Sequence, residues 1–247
     1  MTDGGFLFLE KKMSINNQKY TRAINACFKN GRRLLDEAEM LEFEDPVATK
    51  YFLSIIAQEE FAKAFLLYLV KLEVIPWNKF IYRATRDHCC KQLVGIIIDF
   101  LAPDDDLFLK RMYDSILRKI PSTLPKKVAD AINILRHEKI RRWELANWFW
   151  DEDPDYEKEV ESIASGRIDK KKQDAIYISL GKDGAVANTP DNIDKKEVCR
   201  EYERARRFEG FVKDLCKDQK PVRIDYEQVE NVLKVLFSSE RYFMYGA

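Results

Sequence analysis

By the spacing of its apolar positions the chain is a succession of helices. From Lys19 to Phe43, residues Ala23, Ala26, Cys27, Leu34, Leu35, Ala38 and Leu41 form a stripe with a period of roughly 3.6 residues. Asp45 and Pro46 then offer a cap and a first helical position, and a second helix is expected to about Glu73, closed by Pro76. A third is capped by Thr85 or Asp87 and ends near Pro103. A fourth spans Asp105 to Lys119, and a fifth begins after Pro125 and reaches Trp148 or Trp150. Two closing helices are expected over Lys195 to Cys216 and Tyr226 to Tyr242. The one strand signal is Ile176 to Leu180 and Ala185 to Ala187 around Asp183-Gly184, which predicts a small β-hairpin.

The second helix breaks the usual pattern. "SIIAQEEFAKAFLLYLV", Ser54 to Val70, is apolar nearly all the way round, yet carries Glu59, Glu60 and Lys63 in its middle. At ~100° per residue, Glu59 and Lys63 fall within roughly 20° of the line through Phe52 and Val70. An i, i+4 pair on a polar face adds little to a helix. Here the charges point where a core should be, and an unsolvated charge is costly unless partnered. Such groups are site candidates that need partners from elsewhere in the fold.

Two segments stand apart. Residues 1–16 read as a polar, loosely ordered arm. Residues 151–173 are charged and poor in large apolar side chains, so they read as an inserted, mobile, non-catalytic segment. The rest, 17–247, is expected to form one mainly α-helical domain.

The chain has 247 residues, with Lys plus Arg and Asp plus Glu equal at 42 each. Without a global field, binding to nucleic acid or an anionic membrane must use a local patch. Five cysteines (Cys27, Cys89, Cys90, Cys199, Cys216) show no framework spacing, and read as reduced thiols in a cytoplasmic protein. The apolar run Phe6 to Leu9 is too short for a signal-peptide core or a membrane span, so no membrane partner is expected.

Two histidines narrow the chemistry. In "IYRATRDHCCKQL", Arg83 and Arg86 precede His88 and Lys91 follows it by one helical turn. An imidazole moves protons at neutral pH, and guanidinium groups neutralise phosphate oxygens as they gain charge. The alternative is a solvated helix start. In "LRHEKIRRWELANWFW", Arg136, His137 and Arg142 precede a run of tryptophans. Basic residues interleaved with aromatics can bind single-stranded nucleic acid, but the preferred reading is the wet face of a helix whose Trp side chains pack inward. Neither histidine has a Glu three positions before it, and zinc lacks its spaced Cys and His ligands. No phosphate-binding Gly-rich loop or nucleophile elbow occurs. No metal and no cofactor are expected.

Three motifs carry a resemblance. "AQEEFAK" (57–63), "DHCCK" (87–91) and "KQDAIYISLGKDGAVANTP" (172–190) together resemble the AbiV-type abortive infection proteins of the HEPN superfamily. The family's Gly before the motif Lys is Ala62 here, and 151–171 stands as an insertion ahead of the third motif. The resemblance implies a helical bundle, a homodimer, and a role in bacterial defence against phage. Many HEPN proteins are metal-independent endoribonucleases with an Arg-x4-6-His motif, and Arg83-x4-His88 has compatible spacing. Glu59, Glu60 and Lys63 are then expected to meet His88 and Lys91 in a polar cluster, with Arg83 and Arg86 at its mouth.

Two functions follow. In one, His88 deprotonates a 2′-hydroxyl of an RNA substrate, Arg83 or Arg86 and Lys91 stabilise the phosphorane, and Glu59 orients His88 or Lys91. In the other, the cluster is structural, and growth arrest follows from binding a phage or host protein.

Overall fold

The computed structural model describes residues 3–41, 47–116, 124–145, 155–217 and 224–238. Helices dominate: α1 (Asp3–Met40), α2 (Ala48–Lys71), α3 (Lys79–Ala84), α4 (His88–Leu101), α5 (Asp105–Ile116) and α6 (Lys126–Asn133). A π-helical stretch (Ile134–Arg141) continues α6 into α7 (Arg142–Glu144). Then come α8 (Lys158–Ala164), α9 (Arg167–Asp174), strands β1 (Ser179–Leu180) and β2 (Val186–Asn188), α10 (Lys195–Cys216) and α11 (Ile224–Ser238). The chain is a mainly α-helical bundle.

The all-round apolarity of α2 decides its place. It is covered by α1, α10, α4 and α9, and Ala57, Phe61, Ala62, Ala64 and Phe65 are fully buried in it. Gly31 lets α1 approach closely, because a Cβ there would stand 2.6 Å from the Phe61 ring. On α4, Leu93, Val94, Ile96, Ile97 and Ile98 are buried in the same core. The chain enters α4 through Asp87, whose carboxylate accepts a hydrogen bond from the amide of Cys90 at 2.9 Å, so Asp87 rather than Thr85 is the cap. Asn78, accepting from the amides of Phe80 and Ile81, starts the short α3 that apolar spacing alone does not announce.

Several boundaries differ from expectation. The backbone of residues 3–16, expected to be a loose arm, is already helical within α1. The proposed start of α2 at Asp45 and Pro46 lies outside the described residues, as do Trp148 and Trp150. The fifth helix stops at Glu144, where Leu145 turns extended. The hairpin is present but shorter, with Ser179 opposite Asn188, Leu180 opposite Val186, and Gly184 at φ 80° in the turn.

The largest correction concerns 151–173, of which 155–173 is described and folded. Val160 and Ile163 of α8 are buried in the main core, with Tyr156 and Ile168 packed against it. A few well-spaced apolar anchors suffice where the covering surface is already formed by α4 and α6, both of which α8 contacts. Among the described residues no helix is long and apolar enough to cross a membrane.

Candidate functional site

Glu59 lies mid-way along α2, buried among apolar neighbours. Its side chain is only 2% exposed, so its charge depends on what the adjoining helices bring. From α4 come His88, Lys91 and Gln92. His88 Nδ1 is 2.6 Å from Glu59 Oε2, Lys91 Nζ is 2.8 Å from the same oxygen, and Gln92 Nε2 donates to Oε1 at 3.3 Å. From α9 comes Lys172, whose Nζ donates to Glu59 Oε1 at 2.9 Å and stands 2.9 Å from His88 Nδ1. Asp169, one turn earlier on α9, holds Lys172 at 2.6 Å. Three helices converge on one carboxylate.

The geometry fixes a proton. The shorter contact assigns the tautomer: an ionised carboxylate oxygen at 2.6 Å only accepts, so the ring donates Nδ1–H to Glu59. Lys172 Nζ, 2.9 Å from the same nitrogen, gives its protons to Glu59 Oε1 and Asp169 instead of to the ring. The neutral tautomer then carries its lone pair on Nε2. The His88 side chain is 46% exposed, and among the described residues Nε2 has no hydrogen-bond partner. Burial pushes Glu59 up, but the His88 hydrogen bond and the ammonium groups of Lys91 and Lys172 outweigh it and hold the carboxyl at about 2. Glu59 therefore stays ionised and keeps the ring oriented.

The family model of HEPN_AbiV, described as AbiV, matches residues 19–209. The chain belongs to this family. No curated protein and no solved structure matches the chain. The AbiV match spans every helix that builds the cluster, from α2 through α4 to α9.

Within this AbiV chain, Glu59, His88 and Lys91 meet as expected by the sequence. Lys63 and Glu60 do not join them. Lys63 Nζ pairs with Glu60 at 2.5 Å, beside Cys27 of α1, whose thiol is pushed up to about 11 chiefly by burial. Lys63 reaches the carboxylate one turn before it because Glu59 is already taken by four cationic or donor groups from other helices. Arg83 and Arg86 are exposed, and neither touches His88. The Arg83 guanidinium lies 4.3 Å from the Trp143 ring centroid, and Arg86 donates to the Tyr82 hydroxyl at 3.4 Å.

The second basic cluster is tied internally. Arg136 is buried, pairs with Glu144 at 2.9 Å, and donates to the Leu236 carbonyl at 3.2 Å. Arg142 pairs with Glu138 at 3.5 Å. His137 is held below its ordinary value by burial and by Arg136 and Arg141. These residues join the π-helical stretch to α7 and to α11, which suits a structural role.

Lys172, Asp169 and Gln92 are the members that sequence reasoning missed. Lys172 was visible as the first residue of the third motif, but the charged composition around it disguised a packed helix. Asp169 carries no signal beyond its i, i+3 spacing to Lys172.

One oxygen or nitrogen from each of Glu59, His88 and Asp169 lies within 4.8 Å of the others, a set able to hold a cation. The same carboxylates are already engaged by Lys91 and Lys172, and a divalent ion would sit against two ammonium groups. The donor set therefore fits a charge-balanced polar cluster better than a metal centre.

Proposed function

We propose that this AbiV-family chain is a bacterial abortive-infection effector that cleaves RNA without a metal, using His88 as its general base. The observation that carries the reading is the 2.6 Å contact between Glu59 and His88 Nδ1, which directs the Nε2 lone pair toward the exposed side of the ring. Nε2 takes the proton of a ribose 2′-hydroxyl, and the resulting oxygen attacks the adjacent phosphorus. The P–O5′ bond breaks, leaving a 2′,3′-cyclic phosphate on one product. The imidazolium then returns its proton to the departing 5′-oxygen. Glu59 remains ionised and stabilises the imidazolium as it forms. Lys91 and Lys172 position Glu59 rather than the phosphate, since both are buried against it. Arg83 and Arg86, exposed and five and two positions before His88 in the chain, are the groups offered to phosphate oxygens once they leave their aromatic rests. A homodimer is part of the proposal, as is a cytoplasmic site of action.

Purified protein incubated with total RNA in EDTA, beside His88→Ala, tests this directly. Cyclic-phosphate ends formed by the parent and not by the variant are expected. Intact RNA with both proteins would sink the ribonuclease reading.

A second reading has its own observation. The hairpin that follows α9 leaves Tyr177, Ile178, Leu180 and Val186 each more than three-fifths exposed, a surface suited to a protein partner. On that reading growth arrest follows from binding a phage or host protein, and His88→Ala would still arrest growth.

A further inference from the structure

Four cations, one in α1 and three in the segment 79–86 that leads to His88, rest on aromatic rings rather than on carboxylates. Lys19 Nζ lies 5.9 Å from the Tyr20 ring centroid, Lys79 Nζ 4.9 Å from Phe80, and Arg83 Cζ 4.3 Å from Trp143. Arg86 Cζ lies 5.6 Å from Tyr82. Among the described residues none of the four is paired with an acid, although cations elsewhere in the chain are repeatedly paired. In a chain of zero net charge, this is a local positive patch.

The rings themselves form a row. Tyr82 and Trp77 have centroids 6.2 Å apart, and Trp77 and Tyr20 6.0 Å apart, both edge to face. Tyr82 is 50% exposed and Trp77 38%. A cavity of about 500 Å³ opens beside Tyr20 and Trp77, with Lys71, Glu73 and Lys234 on its walls, Lys234 being paired with Glu230. The row starts at Arg86, two residues before His88, and leads away to α1. A row of partly exposed rings with unpaired cations at its ends, Arg86 and Lys19, matches unpaired nucleotides, whose bases stack while their phosphates meet the cations.

We infer that Arg86, Tyr82, Trp77 and Tyr20 form a stacking track that holds single-stranded RNA alongside His88. Its partner is an unpaired RNA segment, because a duplex hides its base faces. The inference rests on reading His88 as a ribonuclease base, but it concerns binding and is tested without cleavage.

The probe is a short, fluorescein-labelled 2′-O-methyl oligouridylate, which lacks the attacking hydroxyl and cannot be cut by this chemistry. Anisotropy titrations compare the parent with Tyr82→Ala, Tyr82→Leu and Tyr82→Phe, each checked by melting temperature. Loss of one base stack should weaken binding by about 5- to 100-fold in the Ala and Leu variants, with Tyr82→Phe close to the parent. Lys79→Gln should lower the magnitude of the slope of log affinity against log salt by about 0.7. Unchanged affinity in folded Tyr82→Ala and Tyr82→Leu overturns the track. So does a parent that fails to bind the probe, or that binds an RNA duplex or the matching oligodeoxynucleotide more tightly. Binding that needs Tyr82 without any RNA cleavage would keep the track and remove the ribonuclease. Cleavage with an unchanged KM in Tyr82→Ala would do the reverse.

Discussion

Lys172 and Glu59 stand 113 positions apart in the chain, and their charged atoms lie 2.9 Å apart with both side chains almost fully buried. The contact ties α9 to the centre of the bundle. Lys172→Met should lower stability by about 2–3 kcal/mol, less than a lone buried charge would cost because Lys91 still serves Glu59. Urea unfolding measures this, and a double-mutant cycle with Glu59→Gln should return a coupling of about 1 kcal/mol or more. A midpoint unmoved by Lys172→Met would mean that the contact contributes nothing net.

His88 is half exposed and its loss leaves Glu59 with two ammonium partners. His88→Ala should therefore melt within a few degrees of the parent while losing cyclic-phosphate products and growth arrest. Glu59→Gln should keep the ring in place yet reduce turnover by about 100-fold or more, since an amide cannot stabilise the imidazolium. A turnover equal to the parent's would remove Glu59 from the mechanism.

Lys63 offers the contrasting case. It pairs with Glu60 outside the cluster, so Lys63→Gln should change stability by no more than about 1 kcal/mol and leave RNA cleavage unaltered. A cleavage defect in the folded variant would place Lys63 back in the site.

Acid should act in two stages. His137 is held below 6.5 in the folded protein, mainly by burial, so the unfolded chain takes its proton first and stability begins to fall below that pH. Glu59 is lowered from 4.5 to about 2, with burial opposed and outweighed by His88, Lys91 and Lys172. Its contribution, about 3 kcal/mol, is present above pH 4.5 and lost as pH falls toward 2. Melting temperatures across this range, with and without Glu59→Gln, should show the second stage flatten in the variant.

The mass in solution tests the proposed homodimer. Light scattering should return twice the 29.1 kDa of the chain at micromolar concentration. A single-chain mass across that range would end that part of the proposal.

The helical class, the hairpin and three of the six clustered residues were legible in the sequence. Glu59 stood out because its helix is apolar on every side, and His88 and Lys91 because one turn separates them at a capped start. Lys63 was misplaced for a simple reason. It is one turn from both Glu59 and Glu60, and periodicity cannot say which carboxylate another helix will claim. Asp169 and Lys172 were hidden by composition. Averaged over 151–173 the stretch reads as solvated, yet Val160 and Ile163 alone anchor α8 and bring α9 over the site. The basic, Trp-rich run around Arg136 was legible as a pattern, whereas the aromatic row at Tyr82 joins the segment 77–86 to Tyr20 of α1 and becomes visible only when the two fold together.

The π-helical stretch at Ile134–Arg141 works as a phase shifter. Its wide turns absorb a residue that an i→i+4 helix would have to accommodate by rotation. Arg136 and Glu144 meet across it, and Trp143, just beyond it, arrives beneath Arg83. Deleting a single residue there would let ordinary helical winding close. The later side chains would keep their direction, because the wide turns and the residue they absorb would go together. A deletion in the regular turns of α6 would instead rotate them by ~100° about the axis and carry Trp143 away from Arg83 although neither residue had been touched.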